Sequence, residues 1–457
     1  MDEKPRGRLK PDRVPIPSIK PAERISSFDE CLLLYTKEQA IEEAQRCIQC
    51  ARPWCVEACP IDQDCRLYLK QIAEGDFEGA VGTILKDNPM ASCLGKVCYS
   101  YCEPACVIGK RGDPVAIRHL KWAALAYGNG SRTYELEWIR DKAVAIVGFG
   151  PAGLTAAWVL ARRGYAVTVF ESSHKLGGLV TQTIPPYRLS PETFGEDMRR
   201  LEHLKIEFRQ GVRVGDDLDV KDLFDMGYAA IFIGIGTHKP GTLNVPGNDL
   251  PGVYIALDFL KSVFDGDRPP IGGTVAIIGG GDVAVDCSRT VLRLGVDKSI
   301  ILYRRTRDEM PAFDEEVEDA LAEGVEVRYL VSPIEFRGRD VVESVVCQKM
   351  ELGPPDESGR RRPVPVKGEE IVLPVDHVIV AIGQKADLSV IPDMGLRIDK
   401  DGIVVANPET CETSIEGIFA GGGRSIVHAM ATGRRAAESI AKYLEGKAVT
   451  PTAASPQ

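Results

Sequence analysis

Residues 144–153 read VAIVGFGPAG, an apolar run that leads into the glycine pattern Gly148-x-Gly150-x-x-Gly153. A strand, a tight glycine turn and a helix in this order bring backbone N–H groups to the pyrophosphate of a dinucleotide. Glu171 follows the next apolar run, where a carboxylate can accept the hydroxyls of an adenosine ribose. The stretch therefore predicts a dinucleotide-binding fold whose cofactor carries an unmodified ribose.

Further residues extend this first site. Pro151 and Ala152 open the expected helix, and the pair Gly177-Gly178, followed by Leu179, comes shortly after Glu171. A glycine pair at that point would let the backbone approach a second part of a flavin, although a plain flexible loop is the alternative. We expect Gly178 and Leu179 to contact FAD.

A second stretch, VAIIGGGDVA at 275–284, repeats the pattern with Gly279, Gly281 and Ala284, and Asp282 within it is a further candidate for cofactor binding. No acid ends the following strand. Arg304 and Arg305 stand there instead, and guanidinium groups suit a 2′-phosphate where a carboxylate suits two hydroxyls. The second site is predicted to bind NADPH in preference to NADH, unless these arginines are merely a solvated strand end.

The chain thus contains two predicted nucleotide-binding folds. The strand after the first glycine turn ends in an acid and the corresponding strand of the second fold ends in arginines, a combination that suits FAD and a nicotinamide cofactor. The glycine-rich strand end at Ala381-Ile382-Gly383 is typical of a crossing between the halves, and Gly422 and Gly423 close the flavin half near the C-terminus. The predicted class is α/β, with two Rossmann-like domains behind an α-helical iron–sulfur domain. The expected domains are residues 1–140 (helical, cluster-binding), 141–265 with 380–457 (FAD) and 266–379 (NAD(P)H).

Nine of the 13 cysteines fall between Cys47 and Cys106. Eight of them form two runs, which are Cys47-x2-Cys50-x4-Cys55-x3-Cys59-Pro and Cys93-x4-Cys98-x3-Cys102-x3-Cys106. Zinc is the main alternative, but a run that closes on Cys-Pro is typical of bacterial iron–sulfur proteins. The spacing predicts two 4Fe-4S clusters, with Cys31 and Cys65 outside both runs and unligated.

Composition narrows the possible partners. The chain has 457 residues and a formal net charge of −10, which disfavours nucleic acid. The first residues lack the apolar core of a signal peptide or membrane anchor, and an odd number of cysteines suits a reducing compartment. We expect a cytoplasmic protein without a membrane segment.

Taken together, the motifs CxxCxxxxCxxxCP, VAIVGFGPAGL, VAIIGGGDVAVDC, LYRRTRDEMPA and FAGGG resemble the small (beta) subunit family of NADPH-dependent glutamate synthase. The resemblance extends to the N-terminal half of dihydropyrimidine dehydrogenase and to ferredoxin:NADP oxidoreductase subunits, and it spans about Ser27 to Leu444. It implies an FAD domain interrupted by an NADPH domain, behind a helical domain with two 4Fe-4S clusters.

The resemblance also implies cluster ligands. Cys47, Cys50 and Cys55 would hold one cluster, while Cys59 would join the second run. Relatives often complete the first cluster with a Glu or Gln where this chain has Lys121, so our hypothesis is that Cys93 supplies the missing ligand. His119 is a further candidate, though more typical of a structural side chain. Relatives also usually have an Asp against the flavin where Gly423 stands.

The implied activity is electron transfer from NADPH through FAD and the clusters to a catalytic partner subunit, without a catalytic side chain. The leading interpretation is the NADPH-oxidising small subunit of glutamate synthase, in a hetero-oligomer with the large subunit. The alternative is an NAD(P)+-reducing subunit of a ferredoxin-type 2-oxoacid oxidoreductase or of a bifurcating ferredoxin:NADP oxidoreductase. A flavoprotein with an idle nicotinamide site is the non-catalytic alternative.

Overall fold

The structure is a computed structural model that describes residues 11–129, 140–356, 359–387, 395–399 and 403–449. The chain forms three units. A helical N-terminal unit comes first, and a unit built on a parallel sheet follows it. A third unit with its own parallel sheet is inserted between the fourth and the last strand of the first sheet. Among the described helices, none is long and apolar enough to cross a membrane.

The N-terminal unit contains short helices around an apolar core that includes Tyr68, Leu69 and Leu120. Its helices are α1 (Pro21–Arg24), α2 (Lys37–Ala44), α3 (Trp54–Glu57), α4 (Cys65–Ala73), α5 (Phe77–Leu85), α6 (Ala91–Val97) and α7 (Ile117–Tyr127), with a 3₁₀ turn at Val107–Lys110. Side-chain caps fix several starts: Asp64 accepts the N–H of Leu67 and begins α4 at Cys65. The connecting loops carry most of the cysteines.

The first sheet is parallel, with the strand order β15-β4-β1-β2-β3. Its strands are β1 (Ala143–Val147), β2 (Ala166–Glu171), β3 (Ile206–Gln210), β4 (Tyr228–Ile233) and β15 (Ile418–Ala420). The helices of this unit are α8 (Pro151–Arg162), α9 (Leu179–Gln182), α10 (Pro191–Arg199), α11 (Val220–Asp225) and α15 (Ile426–Leu444). Near-continuous apolar strands such as β1 are buried on both faces, as parallel sheets require.

The second sheet repeats this plan with the order β6-β13-β7-β8-β9. Its strands are β6 (Val253–Ile255), β7 (Thr274–Ile278), β8 (Lys298–Tyr303), β9 (Glu326–Tyr329) and β13 (His377–Val380). Its helices are α12 (Ala256–Phe264), α13 (Asp282–Arg293) and α14 (Asp314–Ala322), with a 3₁₀ turn at Arg307–Glu309. An antiparallel sheet of β10 (Val331–Arg337), β11 (Ser344–Pro355) and β12 (Arg361–Pro374) covers one side of this unit.

Two crossing segments join the sheets. They pair antiparallel as β5 (Lys239–Pro240) and β14 (Gln384–Lys385). The insertion therefore begins before β6, not at residue 266 as the sequence suggested, because β6 pairs with β13 and α12 packs into the core of the second unit. A three-residue, half-buried strand leaves too short an apolar pattern to recognise.

Candidate functional site

The first glycine turn joins β1 to α8. Gly148 has φ +90°, and a side chain there would lie 2.7 Å from the carbonyl oxygen of Gly234. Gly153 is tighter still, since its Cβ would lie 1.9 Å from the carbonyl oxygen of Gly148. A Cβ on Gly150 would meet open space. The first and third glycines thus pack backbone on backbone, and the middle one leaves room where a pyrophosphate would approach.

Glu171 ends β2 beside this turn and is buried. Its carboxylate accepts the N–H of Phe149 at 2.8 Å and the N–H of Ser173 at 2.9 Å. These two bonds fix the acid at the strand end, in the register that a ribose-binding carboxylate needs. Its predicted role stays a prediction.

The remaining flavin-site residues lie around the same turn. Gly178, with φ +60°, approaches Gly150 so closely that its Cβ would be 3.1 Å from the Gly150 Cα, and Leu179 begins α9 directly after it. Gly422 is open, whereas a side chain on Gly423 would strike the backbone at the start of α15. Sequence reasoning overlooked Gly433: a Cβ there would lie 2.1 Å from the carbonyl oxygen of Ala152, so α15 crosses α8 in close contact.

The second turn joins β7 to α13 in the same manner. Gly279 has φ +145°, and a Cβ added there would lie 2.2 Å from the carbonyl oxygen of Ala381. A Cβ on Gly281 would meet open space, and Ala284 is fully buried. Gly383, with φ +109°, lies on the crossing segment and is also open. The two turns therefore share one construction.

Asp282 and Arg305 have structural partners that the sequence did not suggest. The Asp282 carboxylate accepts the hydroxyl of Tyr99 and, at 2.9 Å, the N–H of Phe313. Arg305 is buried, and it donates to Asp356 at 2.6 Å and to the Arg361 carbonyl at 2.8 Å. The guanidinium of Arg305 thus holds the β11–β12 hairpin. Arg304 is exposed at the end of β8, and its predicted contact with a 2′-phosphate stays a prediction.

Eight thiols of the N-terminal unit fall into two sets. The outer thiol group contains Cys47, Cys50, Cys55 and Cys106, which line one small pocket together. Apolar side chains such as Trp54 and Ile108 complete this pocket. Burial raises the pKa of the Cys47 thiol to about 11. Cys106, from the end of the second run, therefore lies with three of the four cysteines of the first run.

The inner thiol group contains Cys59, Cys65, Cys98 and Cys102, which interact with one another. Cys59 lies with Cys98 and Cys102 of the second run, and its role as a cluster ligand stays a prediction. Lys121 is buried beside this group. Burial by itself lowers the pKa of Lys121, but the four inner thiols outweigh it and leave the pKa above its ordinary value.

Cys93 lies apart from both groups. It is fully buried in α6, its N–H donates to Asp197 at 3.0 Å, and its thiol interacts with the same carboxylate. Burial is the main reason that the pKa of this thiol lies well above its ordinary value, and the negative charge of Asp197 raises the pKa further. The structure thus brings Cys65 to the inner thiol group in place of Cys93, because α6 turns Cys93 toward α10.

Backbone N–H groups point at several of these sulfurs. The N–H of Ser100 donates to Cys98 Sγ at 3.4 Å, and that of Gln49 donates to Cys47. Both donors have left-handed backbone, with φ +52° at Ser100 and +53° at Gln49. Such a conformation costs a non-glycine residue about 1–2 kcal/mol. Strain of this kind is typical of functional sites, and N–H···S bonds stabilise negative charge on a ligating sulfur.

The inner thiol group lies at the junction of the three units. Tyr99 stacks on Phe313 of the second sheet unit, with ring centroids 5.5 Å apart. Tyr101 meets His428, at the start of α15, edge to face at 4.9 Å. The segment between Cys98 and Cys102 therefore touches both nucleotide folds. Among the described residues, no three His, Cys, Asp or Glu side chains surround a position for a single metal ion.

The chain was compared with known proteins. Residues 142–438 match the pyridine nucleotide-disulphide oxidoreductase family, and residues 24–129 match the family of dihydropyrimidine dehydrogenase domain II, 4Fe-4S cluster. The chain is 34% identical to the glutamate synthase NADPH small chain of Halomonas elongata, over 94% of this chain and 96% of that one. It is 38% identical to the beta subunit of NADP(+)-dependent formate dehydrogenase from Moorella thermoacetica, over 87% of this chain but 61% of that subunit.

Among solved structures, FprA from Mycobacterium tuberculosis in complex with NADPH has the same fold, with a TM-score of 0.57 at 23% identity. The likeness covers 67% of this chain and 85% of FprA. Fold and family matches define the class: an FAD- and NAD(P)-type oxidoreductase with an N-terminal 4Fe-4S domain.

Within this class, the chain belongs to the family of the glutamate synthase NADPH small chain. The resemblance, the fold class and the oxidoreductase assignment made from sequence are thereby confirmed. Both relatives are named as parts of larger enzymes, so a partner subunit is expected for this chain as well.

Proposed function

We propose that the chain transfers electrons from NADPH to a partner subunit through FAD and two 4Fe-4S clusters, as the NADPH-oxidising small subunit of a glutamate synthase. One observation carries the proposal: the segment between Cys98 and Cys102 contacts both nucleotide folds through Tyr99 and Tyr101. The pocket around the outer thiol group is lined by residues of the N-terminal unit. When bound, the flavin would supply conversion between hydride and single-electron chemistry, and the clusters single-electron conduction.

The chain's own residues would bind and orient these groups. Gly148, Gly150 and Gly153 open the first turn to a pyrophosphate, and Glu171 would orient the adenosine ribose of FAD. Gly279 and Gly281 do the same for NADPH, with Arg304 at its 2′-phosphate. Two sets of four thiols have the donor chemistry of two 4Fe-4S clusters.

The outer thiol group supports an exit toward the partner. Trp54 and Ile48 line the pocket of this group together and are 45% and 46% exposed, so two large apolar side chains reach the surface at one place. Arg52 stacks over the Trp54 ring at 3.8 Å. An aromatic and arginine anchor of this kind is typical of the centre of a protein interface. We propose that the large glutamate synthase subunit contacts this face.

Anaerobic titration of the purified chain with NADPH tests the proposal. We expect about one FAD and about eight iron atoms per chain, the latter from two four-iron clusters, and bleaching of the flavin by NADPH. Added one-electron acceptors should then be reduced. A chain that holds FAD but is not bleached by NADPH would instead be a flavoprotein with an idle nicotinamide site.

The 38% identity to a formate dehydrogenase beta subunit supports a second candidate, an NADP-linked subunit of a different electron-transfer complex. Anaerobic co-purification from the native cells separates the two candidates. A large amidotransferase-type subunit would support glutamate synthase. Co-purification of formate-oxidising or 2-oxoacid-oxidising subunits would support the second candidate, with electrons running toward NADP+.

A further inference from the structure

We propose that Cys65 is the fourth protein ligand of the cluster held by the inner thiol group. This inference rests on the two-cluster function proposed above and deepens it, because it names the ligand that the sequence pattern leaves missing. Ligation would break the S–H bond and form an S–Fe bond while the proton leaves to solvent, so no oxidant or reductant is needed.

The count of donors requires a fourth ligand. Four thiols are used by the outer thiol group, whose members line one pocket. Of the two cysteine runs, only Cys59, Cys98 and Cys102 then remain near the junction of the three units. Lys121, buried beside them, is a protonated amine with three N–H donors and no free lone pair. A four-iron cluster at this place would lack one protein ligand.

The backbone brings Cys65 to this position. The chain turns back after Cys59, where Asp62 has φ +50° and its N–H donates to the Cys59 carbonyl at 2.9 Å. Cys65 is then the first residue of α4, which Asp64 caps. A helix N-terminus favours a thiolate, since the unpaired N–H groups there carry partial positive charge. The Cys65 side chain is 2% exposed and interacts with the thiols of Cys55 and Cys102.

Other buried cysteines show what a purely space-filling thiol looks like in this chain. The charged neighbour of Cys287 is Asp286, that of Cys347 is Arg328 and that of Cys411 is Arg435. None of these three has another thiol among its main electrostatic neighbours. Cys65, in contrast, has Cys55, Cys59 and Cys102 around it.

Rival donors are less well placed. His119 lies two residues before Lys121 on α7, about 200° around the helix, and its ring packs against Tyr35 and Trp122. The amide of Gln63 donates toward the carbonyls of Thr83 and Ile84 at 3.4 Å, although its oxygen is buried without a hydrogen-bond partner. Gln63 is therefore the rival that an experiment has to separate from Cys65.

Charge balance is consistent with a fourth thiolate. Each ligating thiolate adds a negative charge to a buried site, which is costly without a counter-ion. The ammonium of Lys121 is buried and interacts electrostatically with all four inner thiols. Lys121 thus offsets the charge of a cluster that it cannot itself ligate.

The test compares Cys65→Ala and Cys65→Ser with Cys93→Ala, which removes an equally buried thiol from α6. The full-length chain is purified anaerobically, and iron, acid-labile sulfide and FAD are measured, together with the low-temperature spin signals of the dithionite-reduced protein. We expect the iron content to fall from about eight atoms per FAD in the wild type to about four in Cys65→Ala, since one of two four-iron clusters is lost. Cys65→Ser should lose iron or show altered spin signals, and Cys93→Ala should match the wild type.

Wild-type iron content and spin signals in either Cys65 variant would overturn the inference, and Cys65→Ser decides the matter if Cys65→Ala does not fold. Iron loss in Gln63→Ala together with retention in Cys65→Ala would assign the ligand to Gln63. Flavin bleaching by NADPH in the wild type reports separately on the proposed function. Its absence would contradict that function while leaving the dependence of iron on Cys65 to be measured.

Discussion

The hydroxyl of Tyr99 donates a hydrogen bond to the carboxylate of Asp282, which joins the cluster domain to the first residue of the helix after the second glycine turn. Tyr99 directly follows Cys98 in the chain. Its ring also stacks on Phe313, whose own N–H donates to the same carboxylate. A residue next to an inner thiol and a residue at the second glycine turn are therefore joined by a direct hydrogen bond.

Replacing Tyr99 with Phe should weaken the attachment of the second sheet unit. A hydrogen bond to a charged acceptor contributes about 1.5–3 kcal/mol, and stacking on Phe313 is retained. We expect a lower midpoint of urea unfolding, together with slower reduction of the clusters by NADPH. Tyr101→Phe is the matched control, because its ring meets His428 but its hydroxyl has no hydrogen-bond partner in the described part of the chain. Equal effects of both substitutions would contradict a role for the Tyr99 hydroxyl.

Arg304 and Arg305 should differ in their effect on cofactor preference. Arg304 is exposed at the end of β8, whereas Arg305 is buried against Asp356. Loss of one charge-assisted hydrogen bond to a 2′-phosphate should raise the KM for NADPH about tenfold in Arg304→Gln and leave the KM for NADH unchanged. Steady-state assays with a ferricyanide acceptor measure both constants. If Arg305→Gln shifted the preference and Arg304→Gln did not, the assignment would be wrong.

Local pattern predicted the nucleotide folds well. Each turn follows an apolar strand and precedes a helix, and this order is written in residues close together in sequence, as at Gly148–Gly153. The pairing of Asp282 with Tyr99 could not be predicted, since the two residues are 183 positions apart. Arg305 was misjudged for the same reason, because its partner Asp356 lies on a distant hairpin.

The cysteines show where spacing misleads. Cys93 extends a regular run, yet α6 directs it to Asp197. Cys65 belongs to no recognisable spacing, but the left-handed turn at Asp62 returns the chain to Cys59. Asp adopts the left-handed φ of +50° found at Asp62 more readily than most residues, but Asp is common in other conformations as well, so the residue type alone does not predict the turn. A set of ligands that comes from several loops can therefore be predicted from sequence only if the backbone conformation of each loop can be predicted.

Lys121 should raise the reduction potential of the cluster at the inner thiol group. A reduced cluster carries one more negative charge, which a buried ammonium nearby stabilises. Lys121→Met keeps a long, unbranched side chain and removes its positive charge. From the Coulomb energy of a charge pair inside the protein, we expect the reduction potential of this cluster to fall on the order of 50–100 mV. Spin-resonance redox titration measures it. Lys70→Met, on the exposed face of α4, is the control and should leave the potential unchanged.

Glu323 pairs with a buried group of arginines between α1 of the N-terminal unit and the second sheet unit. Its carboxylate lies 2.7 Å from guanidinium nitrogens of Arg24, Arg289 and Arg293. Burial alone would raise the pKa of Glu323, but hydrogen bonds from Arg293 and Arg289 outweigh it and lower the pKa to about 2. Arg24 and Arg289 also pair with Asp319, but the ion pair of the buried Arg293 is with Glu323. Removing the acid therefore leaves the Arg293 guanidinium buried without its counter-charge, which typically costs about 3–5 kcal/mol.

This lowered pKa predicts how stability depends on pH. The unfolded chain protonates Glu323 near its ordinary value of 4.5, so the stabilisation is fully present above that pH and is lost as pH falls toward about 2. Urea unfolding of the wild type should show this loss as a falling free energy of unfolding. Glu323→Gln should have a lower free energy of unfolding at neutral pH, and that free energy should depend less on pH below 4.5. Glu74→Gln, which removes an exposed partner of Lys70, should cost less than about 1 kcal/mol. A Glu323→Gln curve parallel to the wild type would show that other carboxylates carry the acid sensitivity.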